Sequence, residues 1–173
     1  MKRFLATFAI SLAVATAASA QDVADMSDLE YAHIAYTADN IDIRYAHLAL
    51  ALSENPDIHE FANTMIRDHT AVNAAALGLL DKLGASAQDN AFSQTLNSNA
   101  EEIINNLSQL RGAEFDKAYA ANELAYHQAV NELVENTMIP NIDNAEVKAL
   151  FEQGLEIFKA HEGHAEMMVE SLN

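Results

Sequence analysis

The sequence predicts an all-α chain built as a four-helix bundle, and three observations carry that expectation. Apolar residues recur at alternating steps of three and four along four long segments, the spacing of one buried helical stripe. Helix-starting and helix-stopping residues fall between those segments rather than inside them. Both prolines and two of the five glycines of the 173-residue chain, Pro56, Pro140, Gly84 and Gly112, lie at these breaks.

The chain opens with a leader. Lys2 and Arg3 supply a short basic start, residues 4–17 form an apolar run, and Ala18-Ser19-Ala20 offers a small-x-small cleavage pattern. The run falls short of the ~20 apolar residues that span a bilayer. We therefore expect a signal peptide over 1–20, export to a periplasmic or secreted location, and a single domain over 21–173. Removing the leader takes away two of the nine basic residues, leaving seven against 26 acidic ones, and the formal charge moves from -17 to -19. Such a surface repels nucleic acid and anionic headgroups and draws cations. No second apolar run of spanning length follows, so no membrane span is expected in the mature chain. The absence of cysteine excludes a disulfide framework and thiolate ligands, so a metal here must use imidazole, carboxylate or thioether.

The first helix opens at Ser27-Asp28-Leu29-Glu30, which reads as a capping box, and runs to about Ser53. Its stripe is Tyr31, Ile34, Ala38, Ile41, Tyr45, Leu48 and Leu52. Asn55-Pro56 starts the second helix and Gly84 stops it, with Ile58, Ala62, Met65, His69, Val72, Ala76, Leu79 and Leu83 on one face. Ser98-Asn99-Ala100-Glu101 suggests a second capping box, opening a short helix that ends at Gly112. A third long helix follows from about Ala113 to Asn136. Asp143, with Glu146 three residues later, opens the last, whose stripe includes Val147, Phe151, Gly154, Phe158, His161, Ala165, Met168 and Leu172. Four long helices with a short one in the connection between the second and third give the ferritin-like arrangement with one longer crossover.

Seven histidines in an acidic chain raise a metal reading, but they are not equivalent. His33, His47 and His59 fall on polar stripes and read as surface residues. Glu30-Tyr31-Ala32-His33 has the E-x-x-H spacing of di-iron bundles, yet no second copy accompanies it, and such sites need a pair. His69 and His161 occupy positions that the periodicity reserves for the core. Asp42 leans inward beside Ala38 and Tyr45, where a carboxylate is costly unless paired or ligated. Glu123 and His127, one turn apart, flank the stripe of Tyr119, Tyr126 and Val130.

Axial heights bear on which of these meet. Asp42 lies 11 residues before Ser53 and His69 lies 13 after Pro56, nearly level across the hairpin. His127 lies 9 before Asn136, whereas His161 lies 18 after Asp143. That places the second pair roughly 9–13 Å out of register at ~1.5 Å per residue. The stretch His161-Glu162-Gly163-His164, followed by Met167-Met168, could present two imidazoles and a thioether to one ion, a set that favours copper over magnesium or calcium. The bland alternative is a helix with His161 buried, His164 at the boundary and Met168 in the core.

Three segments, "FANTMIRDHTAVN", "GAEFDKAYAANELAYHQAV" and "FKAHEGHAEMM", carry a resemblance to the bacterial secreted family DUF4142, a ferritin-like domain of unknown function. The resemblance covers residues 27–172. It implies recurrent histidines at His69, His127 and His161, with Asp68 before the first, and an acidic position on the first helix at Asp42. His47, Glu123 and His164 fall where the family pattern shows other residues. The "outer membrane" label often attached to the family fits an all-helical chain poorly, since outer-membrane spans are strand barrels.

The leading expectation is a periplasmic bundle holding a transition-metal ion (copper, zinc or iron) through His69, His127, His161 and Asp42, with His164 as a further candidate. Its role would lie in envelope metal handling or stress protection. The rival is a non-catalytic scaffold whose inward histidines are structural and whose acidic surface meets a partner, another copy of the chain included. Catalysis is the weakest reading: no nucleophile–base pair or phosphate-binding loop stands out.

Overall fold

The computed structural model describes residues 23–172, so the expected leader, residues 1–20, lies outside the described residues. Five helices account for the architecture, and no strand occurs among the described residues. They are α1 (Asp28–Leu52), α2 (Pro56–Lys82), α3 (Ala91–Leu107), α4 (Gly112–Leu133) and α5 (Ala145–Leu172). A π-helical turn, Val134–Met138, and a last helical turn, Ile139–Asn141, prolong α4.

The caps explain most of the boundaries. Ser27 and Glu30 close a reciprocal capping box at the start of α1, with the Ser27 amide donating to Glu30 at 2.9 Å. The Asn55 side chain accepts the Asp57 amide at 2.9 Å, and Pro56 occupies the first turn of α2, where its missing N–H costs nothing. Gly84, at φ 62°, ends that segment in the left-handed conformation that favours glycine. The connecting helix differs from expectation: α3 begins at Ala91, about two turns before Ser98. Asn90 and Ser93 form the capping box that starts it, the Asn90 side chain accepting the Ser93 amide at 2.9 Å. Ser98 instead turns its hydroxyl back onto the Gln94 carbonyl at 3.1 Å, satisfied inside the helix. At α5 the capping oxygen belongs to Asn144, one residue after Asp143, and it accepts from the Glu146 and Val147 amides.

α1 packs along α2 and α4 along α5, two hairpins that meet through α2 against α5 and α1 against α4. α3 crosses back over α1 and touches α4. Polar ties fix the elements relative to one another. Asp28 at the start of α1 accepts the backbone amides of Asp143 and Asn144, at 3.0 and 2.8 Å, ahead of α5. Tyr126 on α4 donates to the Ala38 carbonyl of α1 at 2.9 Å. Two apolar clusters fill the interior, one around Tyr45, Phe61, Met65, Phe115 and Tyr119, the other around Tyr31, Ile34, Phe92, Met138 and Leu155. On α2, α4 and α5 the buried histidine lies between the residues that feed one cluster and those that feed the other. No helix among the described residues is long and apolar enough to cross a membrane.

Candidate metal centre

Three helices bring one imidazole each to a common point. His69 comes from α2, His127 from α4 and His161 from α5, all three buried. Their ring centroids are 5.9 Å (His69–His127), 5.3 Å (His69–His161) and 5.5 Å (His127–His161) apart. One nitrogen of each ring lies within 4.8 Å of those on the other two.

The opposite nitrogen of every ring is anchored. His69 Nδ1 meets Asp39 Oδ1 at 2.8 Å, His127 Nδ1 meets the Glu123 carbonyl at 2.9 Å, and His161 Nε2 meets Asp68 Oδ2 at 3.0 Å. Carbonyls and ionised carboxylates only accept, so each anchored nitrogen carries the proton. That leaves His69 Nε2, His127 Nε2 and His161 Nδ1 facing the common point, and all three lack a hydrogen-bond partner. Asp68 is itself braced by Arg67, at 2.7 and 3.0 Å. Phe158 stacks on His69 at 4.7 Å, with the planes 11° apart, which holds that ring against rotation.

Asp42 supplies a carboxylate from α1. Its Oδ2 is 2.6 Å from His69 Nε2, yet the pair is not aligned as a hydrogen bond, and both Asp42 oxygens count as unpartnered. With His69 protonated, the contact is an ion pair that holds the empty centre together, and an incoming ion would take the place of the proton between the two atoms. Such a collection of fully buried unpartnered polar atoms is rare without a bound species to satisfy it.

Electrostatics sort the residues into roles. Burial pushes the His69 imidazole down, but Asp42 and Asp39 outweigh it and raise the pKa to about 10. Burial pushes Asp42 up, and the His69 charge overrides this and holds the carboxyl well below its usual range. Burial lowers His127, aided by the charge of His69. Burial likewise lowers His161 to about 4 against the pull of Asp68. At neutral pH two of the three inward nitrogens therefore present lone pairs, and the third carries a proton that an ion would displace.

Asp42 and His69 meet, as their matched heights predict. The predicted offset of His127 from His161 does not occur, and the cause is helix length. α4 runs on through the π turn to Asn141, 14 residues past His127, while α5 starts at Ala145, 16 residues before His161. Pro140 cannot send an amide back to Asn136, and the π turn bridges that gap in the ladder. His164 stands outside the triangle, half-buried and edge-on to Phe61 at 5.1 Å. Met168 is buried in the larger apolar cluster, and Met167 is exposed. His33 contacts Ser93 at the start of α3, and His59 donates to the Ser53 carbonyl at 2.7 Å.

Asp39 and the full burial of Glu123 escaped sequence reasoning. Asp39 lies three residues before Asp42 on the same face of α1, so the spacing was a usable signal. Asp68 was noticed only for its place before His69; its side chain serves His161 instead.

A family model described as a domain of unknown function, DUF4142, matches residues 13–168. No curated protein and no solved structure matches the chain.

Proposed function

The chain belongs to the DUF4142 family, and from its buried centre we propose a protein that binds a transition-metal ion through His69, His127, His161 and Asp42. We further propose that the bundle is ferritin-like, is exported after loss of residues 1–20, and serves envelope metal handling or stress protection. One observation carries the reading. Each imidazole is fixed through one nitrogen by an outer acceptor and turns its other, unpartnered nitrogen to the same point. Metal-binding histidines are built this way, since the outer partner sets the tautomer and aims the lone pair.

Three nitrogens and a carboxylate oxygen form a borderline donor set that suits copper, zinc or iron better than magnesium or calcium. A scaffold whose histidines merely brace the core would account for Asp39–His69–Asp42 and Asp68–His161, but it leaves the inward nitrogens of His127 and His161 without a purpose. Elemental analysis of protein purified without a histidine tag, followed by calorimetry with Cu(II) and Zn(II), tests the proposal. Tight binding that collapses in the His69→Ala/His161→Ala double variant is the expected result. Wild-type protein that binds neither ion better than the double variant would end it. Mass spectrometry of envelope protein beginning at Gln21, or at its cyclised form, would support export.

A further inference from the structure

A cation held by the three imidazoles engages their inward nitrogens and an oxygen of Asp42, and leaves much of the surrounding polar lining unserved. Glu123 is fully buried, and neither of its carboxylate oxygens has a hydrogen-bond partner. The Tyr119 hydroxyl, also fully buried, has none. Glu123 stands close enough to Asp42, Tyr119 and Asn122 to interact with each, but no N–H or O–H is directed at either of its oxygens. Glu123 Oε2 lies 3.8 Å from His127 Nδ1, the anchored nitrogen rather than the one turned to the triangle. Its carboxylate therefore addresses a different point from the imidazoles.

We propose that Asp42, Glu123 and Tyr119 form a second cation position beside the histidine triangle, with Asp42 common to both. This rests on the metal reading above and adds to it a second ion of different preference. The new position offers carboxylate and phenol oxygens and no nitrogen or sulfur, a hard donor set suited to a small oxygen-preferring divalent cation such as Mn(II). The rival occupant is a proton held between the two carboxyls. A proton shared by the two carboxyls would serve one oxygen of each, and it leaves their other oxygens and the Tyr119 hydroxyl without a partner. A cation draws donors from several directions at once, so one ion can serve all three side chains.

The test uses the full chain, stripped with chelator, saturated first with Zn(II) and then with Mn(II), and freed of excess ions before elemental analysis. Wild-type protein should retain about two ions per chain, zinc in the triangle and manganese or a second zinc beside it. Glu123→Gln should keep one zinc and bind the second ion at least ~10-fold more weakly, because an amide oxygen replaces a charged ligand. Tyr119→Phe removes only a hydroxyl; it should weaken the second ion severalfold and leave the first unchanged, and it decides the matter should Glu123→Gln misfold. Wild-type protein that holds one zinc and nothing more would overturn the second position while sparing the first. A Glu123→Gln variant that folds and still holds two ions with wild-type affinity would overturn it as well. Protein that holds no ion at all would overturn both.

Discussion

The centre depends on how three chemically identical side chains are made unequal. His127 and His161 are held neutral by burial, whereas His69, between Asp39 and Asp42, is raised to about 10. An ion must displace the His69 proton, so binding near pH 7.5 should release about one proton per ion. The sign follows from the raised value. Below about 10 the empty His69 is protonated, and apparent affinity should climb by about one log unit per pH unit as that proton becomes easier to remove. Zinc calorimetry in buffers of different ionisation enthalpy measures the release directly. Absence of proton release would remove His69 from the ligand set or its proton from the empty state. The outer partners should matter at the same scale: Asp68→Asn, which weakens the aim of His161, should lower affinity by ~10–100-fold. His164→Ala should change it little, because that ring packs on Phe61 rather than facing the triangle.

At the level of elements, the sequence exposed the helices and their buried faces more readily than their ends. Val147, Phe158, His161, Ala165 and Met168 are buried as the spacing of the last helix requires, because helical period and burial are the same physical fact. Ends are set by competition among local hydrogen bonds. Asn90 and Ser98 both sit before plausible first turns, and the outcome turned on which could satisfy amides without breaking a longer helix. The prediction that belongs here compares them: Asn90→Ala should destabilise the protein by ~0.5–2 kcal/mol, the usual value of an N-cap, and Ser98→Ala should be close to neutral. Urea titration of both variants would show it, and equal losses would mean that α3 starts where the sequence suggested. The misjudged end of α4 had the larger consequence for the site. A π turn has no sequence signature as plain as a glycine stop, so five extra residues of helix went unseen and His127 looked out of reach of His161. The paired acceptors Asp39 and Asp68 were obscure for a different reason. An exposed and an anchoring aspartate look alike until the facing helix is placed.

For the whole molecule the question is whether the proposed ion would hold the fold or merely occupy it. Apolar clusters lie on both sides of the centre, and the caps and the Asp28 tie between α1 and α5 do not involve it. The metal-free protein should therefore remain helical by circular dichroism. Bound ion then adds stability by mass action, ~4 kcal/mol at a free concentration a thousand times the dissociation constant. At ~2–4 °C per kcal/mol for a domain of this size, the melting temperature should rise by roughly 10 °C. Acid should act on the same groups in the empty protein. His127 and His161 have folded values below the ordinary 6.5, with His161 near 4, so the unfolded chain binds protons that the folded one refuses. Stability therefore falls as pH drops from 6.5 toward 4, with His161 alone contributing on the order of 3 kcal/mol, while His69, raised to about 10, imposes the opposite slope above 6.5. Removing the two imidazoles removes that dependence, so the His127→Ala/His161→Ala variant should lose much less stability over the same range. Thermal melts of chelator-treated protein at pH 7 and pH 4.5 would measure both effects. A chelator that abolishes the helical signal at pH 7 would make the metal part of the fold, and equal acid sensitivity in the double variant would place the titrating groups outside the centre.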